Sequence, residues 1–429
     1  MSEGRRRILL DVRPLRVSPD FRRLTLSSTV SQLGGQMTTY AVVLQVFTLT
    51  HSSAAVGGVG LAAAVPSLAA GLLGGPLVDA VDRRKLVLLL SNAQVVVSVL
   101  FAVQAFAGSR SVGLLYGLVA LQYLVAAVNA PAKRTFAPRL LPRELIPAGS
   151  ALTMLGMHLS LILGPPLAGV LTAAGGLRFC YVVDAVSFLF SLYAVFRLPS
   201  MAPDGGRATP GLRALADGFR FIRSCKVVLG ALLYDLSATA LGMPFALFPA
   251  VNADRFGGAP QTLGLLTAAV AAGGVLGTAL SGPVSHVRRP GRAMLLSALG
   301  WGGGLIGFGL AGGLVATLAF LVVAGVADVL SVVFRSTVLQ TATPDHLRGR
   351  TGAAEFVVGA GAPQLGNFRA GVLGSLTSPG TSAVVGGVST LAGAALIAVA
   401  VPALRRYRID EAPVVVPAPV AVPTPDQSV

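Results

Sequence analysis

Twelve runs of mostly apolar residues, each roughly the 20 residues that a helix needs to cross a bilayer, follow one another along the chain. The runs fall near 24–48, 56–80, 86–106, 112–129, 148–172 and 179–196 in the first half, and near 227–251, 262–285, 293–311, 314–333, 353–376 and 383–403 in the second. Hydrocarbon offers no partner to a free N–H or C=O, so each run predicts a helix that closes its own hydrogen bonds. The chain has 429 residues, of which 54% are apolar and only 12% charged. A soluble enzyme of this size needs about twice that charged share to cover its surface. The reading is an all-α integral membrane protein of twelve transmembrane helices.

Charge placement gives the orientation. Of 33 Lys and Arg residues, 29 lie in the N-terminal arm, the even-numbered loops and the C-terminal tail. Subtracting acids leaves +17 on that face, +2 on the other and −3 inside the membrane. Basic loops stay cytoplasmic, so both termini are expected there, in a multi-pass protein of the cell membrane. The same dispersal, with 6% aromatic residues, argues against nucleic-acid binding, which concentrates basic side chains on one face.

The organisation expected is an N-terminal arm (1–23), a six-helix bundle (24–198), a cytoplasmic linker with an amphipathic helix (199–226), a second six-helix bundle (227–404) and a Pro-rich cytoplasmic tail (405–429). Within the linker, Leu212, Leu215, Phe219 and Ile222 recur at helical spacing. Glycines such as Gly71, Gly273, Gly277 and Gly304 are dense inside the spans, where small residues allow close helix packing.

Two short motifs carry a resemblance. Between runs two and three stands Gly75-Pro-Leu77-Val-Asp79-Ala80-Val-Asp82-Arg83-Arg84-Lys85. It resembles the signature of major facilitator superfamily transporters in this loop, with Ala80 and Asp82 departing from the pattern. An acid at a helix C-terminus opposes the dipole and calls for nearby Arg. The resemblance implies a cytoplasmic gate formed by Gly75, Asp79, Arg83 and Arg84. A degenerate copy after run eight, Gly282-Pro-Val-Ser-His286-Val-Arg288-Arg289, lacks the acid. In run five, Ser160-Leu-Ile-Leu-Gly164-Pro165-Pro166-Leu-Ala168-Gly169 is similar to the superfamily's exporter motif, which assigns that role to Gly164, Pro165 and Gly169.

Longer stretches extend the similarity. Leu247-Phe248-Pro249-Ala250, Arg289-Pro290-Gly291-Arg292 and Leu339-Gln340-Thr341-Ala-Thr343-Pro344-Asp345 look like the branch that contains siderophore exporters of the enterobactin type. Drug and macrolide efflux pumps belong to the same branch. The implied fold is two pseudo-symmetric six-helix bundles with a substrate cavity at the midplane between them. The implied function is secondary export by alternating access, with protons as the coupling ion.

Ionisable residues within a membrane are costly and mark function. Asp235, with Thr239 and Met243 on the same face, and Glu355 are the candidates for proton coupling. Asp328 and Arg335, two turns apart on one helix, are candidates for an ion pair or a second latch. Asp184 is expected near the lipid–water boundary beside Arg178, and Arg369 to pair with a carboxylate or attract an anionic substrate. His158 reads as a packing or hydrogen-bonding residue rather than a proton shuttle. No phosphate-binding loop and no metal-ligand spacing stands out, so no cofactor, metal or enzyme chemistry is expected, and the chain reads as a monomer. Besides a siderophore exporter, the readings kept open are a multidrug or macrolide pump and, from another class, a membrane receptor or scaffold without flux.

Overall fold

The computed structural model describes residues 11–80, 83–134, 136–198, 220–282, 287–344 and 347–409. The linker residues Leu212, Leu215 and Phe219 and the tail beyond 409 lie outside the described residues. All secondary structure described is helical. The long elements are α1 (Pro19–Thr50), α2 (Ser53–Ala80), α3 (Arg83–Phe106), α4 (Val112–Arg134), α5 (Ile146–Gly175) and α6 (Arg178–Phe196) in the first half. The second half has α7 (Lys226–Gly242, resumed at Phe248–Phe256), α8 (Pro260–Ala279), α9 (Pro290–Leu310), α10 (Leu314–Ala342), α11 (Arg348–Leu376) and α12 (Pro379–Ala400).

Ten of these elements are long and apolar enough to cross a membrane among the described residues. The other two, α1 and α11, are 32 and 29 residues long but more polar, and both pack inside the bundle. Their polarity is what the lining of a central cavity requires. Local starts follow the sequence: Ser18 caps α1 by accepting from the Phe21 N–H at 3.2 Å, ahead of Pro19 at the first helical position. His51 ends the helix in a left-handed conformation, with φ of 49°.

The two halves repeat each other's packing. In the first, α1 packs on α5 and α6, α2 on α4, and α3 on α4 and α6. In the second, α7 packs on α11 and α12, α8 on α10, and α9 on α10 and α12. Every pair returns when six is added to its numbers. The main crossings between halves, α2 on α11 and α5 on α8, are exchanged by the same operation. This is the pseudo-twofold relation of a duplicated six-helix unit.

Small residues make those crossings possible. A Cβ on Gly57 would lie 2.8 Å from the Phe368 Cα, and one on Gly264 would lie 2.5 Å from the Pro165 carbonyl oxygen. Side chains at either position would force the helices apart. At the same end, the Tyr40 hydroxyl donates to the Pro260 carbonyl at 2.6 Å, and the Ala54 N–H donates to Ser375 Oγ at 3.0 Å. The halves are therefore drawn together at the end that carries the α1–α2 turn, opposite the end that carries Arg13 and Arg406.

One span departs from expectation. The run at 227–251 predicts one continuous helix, whereas α7 stops at Gly242, passes through an extended Met243, and resumes after a single 3-10 turn at Phe245–Leu247. Pro244 lacks an N–H to continue the ladder and biases Met243 away from helix.

Candidate functional site

A cavity of about 420 Å³ lies between the halves. Its wall takes Gln36, Thr39 and Tyr40 from α1, His158 and Pro165 from α5, and Gln364 and Asn367 from α11. Apolar surface comes from Val56 and Val59 on α2, Phe245 and Phe248 at the break in α7, and Leu263 and Val270 on α8. Among the described residues of the wall, Asp328, half-buried on α10, is the one carboxylate, and there is no Lys or Arg. Polar amides and hydroxyls on an otherwise apolar surface suit an amphipathic organic molecule. Phe245 and Phe248, three residues apart at the break in α7, both face the cavity.

Behind Asp328 lies a cluster built from three helices. Arg335, two turns along α10, forms an ion pair with Asp235 on α7, both side chains about nine-tenths buried. Its Nε also lies 3.5 Å from Glu355 Oε1 on α11. Asp328 is close enough to both Asp235 and Arg335 to interact electrostatically. Four residues singled out in the sequence thus converge, but the pairing differs from expectation. Arg335 reaches across to α7 and α11 instead of back along its own helix to Asp328. Seven residues put two side chains on one face but about 10 Å apart along the axis, whereas a neighbouring helix is nearer.

Asp184 requires a correction. It is fully buried, not at the lipid–water boundary, and its Oδ2 accepts hydrogen bonds from Thr38 and Ser98 at 2.8 Å each. Arg178, six residues earlier, faces the ring of Phe106 instead. Six residues carry the chain about 9 Å deeper along a helix, which takes Asp184 into the centre of the first half. Gly34 is the reason it fits, since a Cβ there would lie 2.8 Å from Asp184 Oδ1.

Among the described residues Arg369 meets no carboxylate. Its guanidinium donates to the Leu241 carbonyl, in the last turn of the first piece of α7. Helix C-termini leave carbonyls without partners, and a cation there satisfies them and the dipole together. Arg255 does the same for α9, donating to the Ala311 carbonyl at 2.7 Å and the Gly309 carbonyl at 2.6 Å. Arg84 donates to the Phe196 carbonyl at the end of α6 at 2.6 Å. Side chains at 71–83, including those of Gly75, Asp79 and Arg83, lie outside those described, as does His286. In α5, Gly164 faces the Gln36 side chain of α1 and Gly169 faces the Pro260 carbonyl across the half interface, while Pro165 stands between them on the cavity wall.

Among the described residues, no group of His, Cys, Asp and Glu is arranged to hold a metal ion, and Cys180 and Cys225 are free thiols. A sequence profile of the family described as transmembrane secretion effectors matches residues 11–422. The chain belongs to that family, within the major facilitator superfamily.

Relatives and solved structures agree with the membership. The enterobactin exporter EntS of Shigella boydii serotype 18 is 29% identical over 401 residues, covering 93% of this chain and 96% of that one. The enterobactin exporter EntS of Escherichia coli O1:K1 is 28% identical over the same length. The crystal structure of the nucleoside transporter NupG matches with a TM-score of 0.72 at 13% identity, over 91% of this chain and all of that one. A bacterial homologue of the iron transporter ferroportin in an inward-facing state matches with a TM-score of 0.66 at 16% identity, over 91% of this chain and 99% of that one. At such identities the solved structures establish the fold alone: this family member is a multi-pass membrane transporter with the major facilitator architecture.

Of the cavity wall, sequence reasoning singled out His158, Pro165 and Asp328 and missed most of the rest. Gln36, Tyr40, Gln364 and Asn367 are polar residues inside apolar runs, and that interruption was the available signal.

Proposed function

We propose that this family member exports an amphipathic small molecule of the enterobactin siderophore class from the cytoplasm by alternating access, in antiport with protons, as a monomer in the inner membrane. The observation that carries this reading is the cavity between the halves, closed at the end carrying the Tyr40–Pro260 and Ala54–Ser375 bonds. With both termini cytoplasmic, as the placement of Lys and Arg argues, that end is the outer one and the structure is the state that loads from inside. End-to-end similarity to proteins named enterobactin exporters supports the direction and the substrate class.

Coupling follows from the cluster behind the wall. Protonation of Asp235 or Glu355 discharges one partner of Arg335 and frees the guanidinium to turn toward Asp328. The state in which that exchange is favoured is the one the proton gradient populates. Gly75, Asp79, Arg83 and Arg84 form the latch that closes the cytoplasmic side in the opposite state, and Gly164, Pro165 and Gly169 let α5 pivot between α1 and α8.

A second reading, efflux of neutral or cationic amphipathic drugs, is favoured by the wall itself, where the one formal charge among the described residues is the Asp328 carboxylate. Deleting the gene and measuring secreted siderophore beside drug susceptibility separates the two. Loss of secretion supports the siderophore; unchanged secretion with increased sensitivity to macrolides or dyes overturns it in favour of drug efflux. Proteoliposomes that move neither class under a pH gradient would leave a receptor or scaffold without flux.

A further inference from the structure

Arg288 and Arg289, the last two residues of the degenerate copy of the gate sequence, line a second cavity of about 470 Å³. Four guanidiniums line this one: Arg288 and Arg289 before α9, Arg292 in its first turn, and Arg408 beyond the last helix. Arg288, Arg289 and Arg292 are exposed, and among the described residues that line the cavity there is no carboxylate.

The arginines are held in place from two directions. Pro290 begins α9, a 21-residue helix whose first turn carries Arg292 at the cavity wall. The C-terminal segment is fixed beside it: the Ile409 N–H donates to the Arg288 carbonyl at 3.3 Å, and the Tyr407 hydroxyl bonds to Thr341 Oγ1 at 3.0 Å. Gly291 packs so tightly on the Leu404 carbonyl that no Cβ would fit. Such anchoring makes the convergence of positive charge a built feature of the fold.

We infer that this cavity binds the phosphodiester headgroup of an anionic phospholipid in the leaflet on the side of the chain termini. The argument for a lipid over free phosphate is the surface leading out of the cavity. Arg292, Leu296 and Leu299 lie on one face of α9 at helical spacing, and both leucines are exposed, at 53% and 62%. A headgroup on the arginines therefore directs an acyl chain along the leucines into the hydrocarbon. Basic pockets beside transmembrane helices on the cytoplasmic side recognise anionic headgroups by this combination of charge and adjoining apolar surface. Arginine suits the task because its planar fork bonds two phosphate oxygens at once.

The test uses the full-length purified protein. Native mass spectrometry after delipidation, followed by titration with phosphatidylglycerol, cardiolipin or phosphatidylcholine, reads retention and affinity. The wild type is expected to retain the two anionic lipids and to release phosphatidylcholine. Arg289→Gln with Arg292→Gln should weaken binding on the order of 25-fold, about fivefold for each arginine, while Arg292→Lys retains most of it. Arg405→Gln with Arg406→Gln, on exposed arginines outside the cavity, should leave retention unchanged. Three results would overturn the proposal: equal retention by the Arg289 and Arg292 variant, an equal loss from the Arg405 and Arg406 variant, or protection against thermal unfolding by inorganic phosphate as strong as that by lipid.

Discussion

The guanidinium of Arg335 on α10 is paired with the carboxylate of Asp235 on α7, in the interior of the second half and one layer behind the cavity. Buried pairs add little net stability, but removing one partner strands the other charge at a cost of about 3–5 kcal/mol. Arg335→Gln should therefore lower thermal stability in detergent more than the double change Asp235→Asn with Arg335→Gln. Differential scanning fluorimetry on the two variants checks this, and equal losses would show that the residues act independently.

Asp235→Asn should uncouple substrate from protons. In proteoliposomes, substrate exchange down its own gradient persists while an imposed pH gradient no longer accelerates it. A stopped-flow measurement with internal and external pH varied separately reads the effect. Unaltered pH dependence would pass the role to Glu355.

Asp184 sits between two hydroxyl donors with no described cation beside it. Asp184→Asn keeps an acceptor for Thr38 or Ser98 and should fold normally. Asp184→Leu leaves both buried hydroxyls without their partner, at about 1–3 kcal/mol for each, and should reduce the yield of folded protein on size-exclusion chromatography.

Gly264 crosses Pro165 where α8 meets α5. Gly264→Ala overpacks that crossing, which costs about 1–3 kcal/mol, and only the state with this end closed bears the penalty. Spin labels on Thr48→Cys and Thr377→Cys, in a background with Cys180 and Cys225 replaced by Ser, should report a longer mean distance in the Gly264→Ala protein.

Asp79→Asn tests the proposed latch. Turnover should fall at least tenfold with normal membrane insertion, read by whole-cell efflux against immunoblot of the membrane fraction; wild-type efflux would remove Asp79 from the gate.

Much of the architecture was legible because lipid imposes it. The ends of α3 and α6 fall within a few residues of the apolar runs, since a span must both satisfy its own backbone and end near water. The break in α7 was not read out, although Gly242-Met243-Pro244 marks it, because hydropathy averages across a proline that a cavity tolerates. The charged residues were legible as a set and illegible as partners. Nothing in spacing along a chain says which of three neighbouring helices Arg335 will face, and the same limit misplaced Asp184 and Arg369. The cavity wall was harder still, since Tyr40 and Asn367 come from helices of opposite halves.

The interruption of α7 has a mechanical meaning. A continuous span acts as a single lever, so tilting its inner end moves its outer end as well. With Met243 and Pro244 between them, the 17-residue and 9-residue pieces are two rods joined by a strap. The first rod carries Asp235 and takes the Arg369 contact at its tip, while the second anchors Arg255 against the end of α9. In the proposed coupling, titration of Asp235 moves its own rod without dragging the other, and replacing Met243 and Pro244 with Ala would weld the two into a shaft that transmits what the native span absorbs.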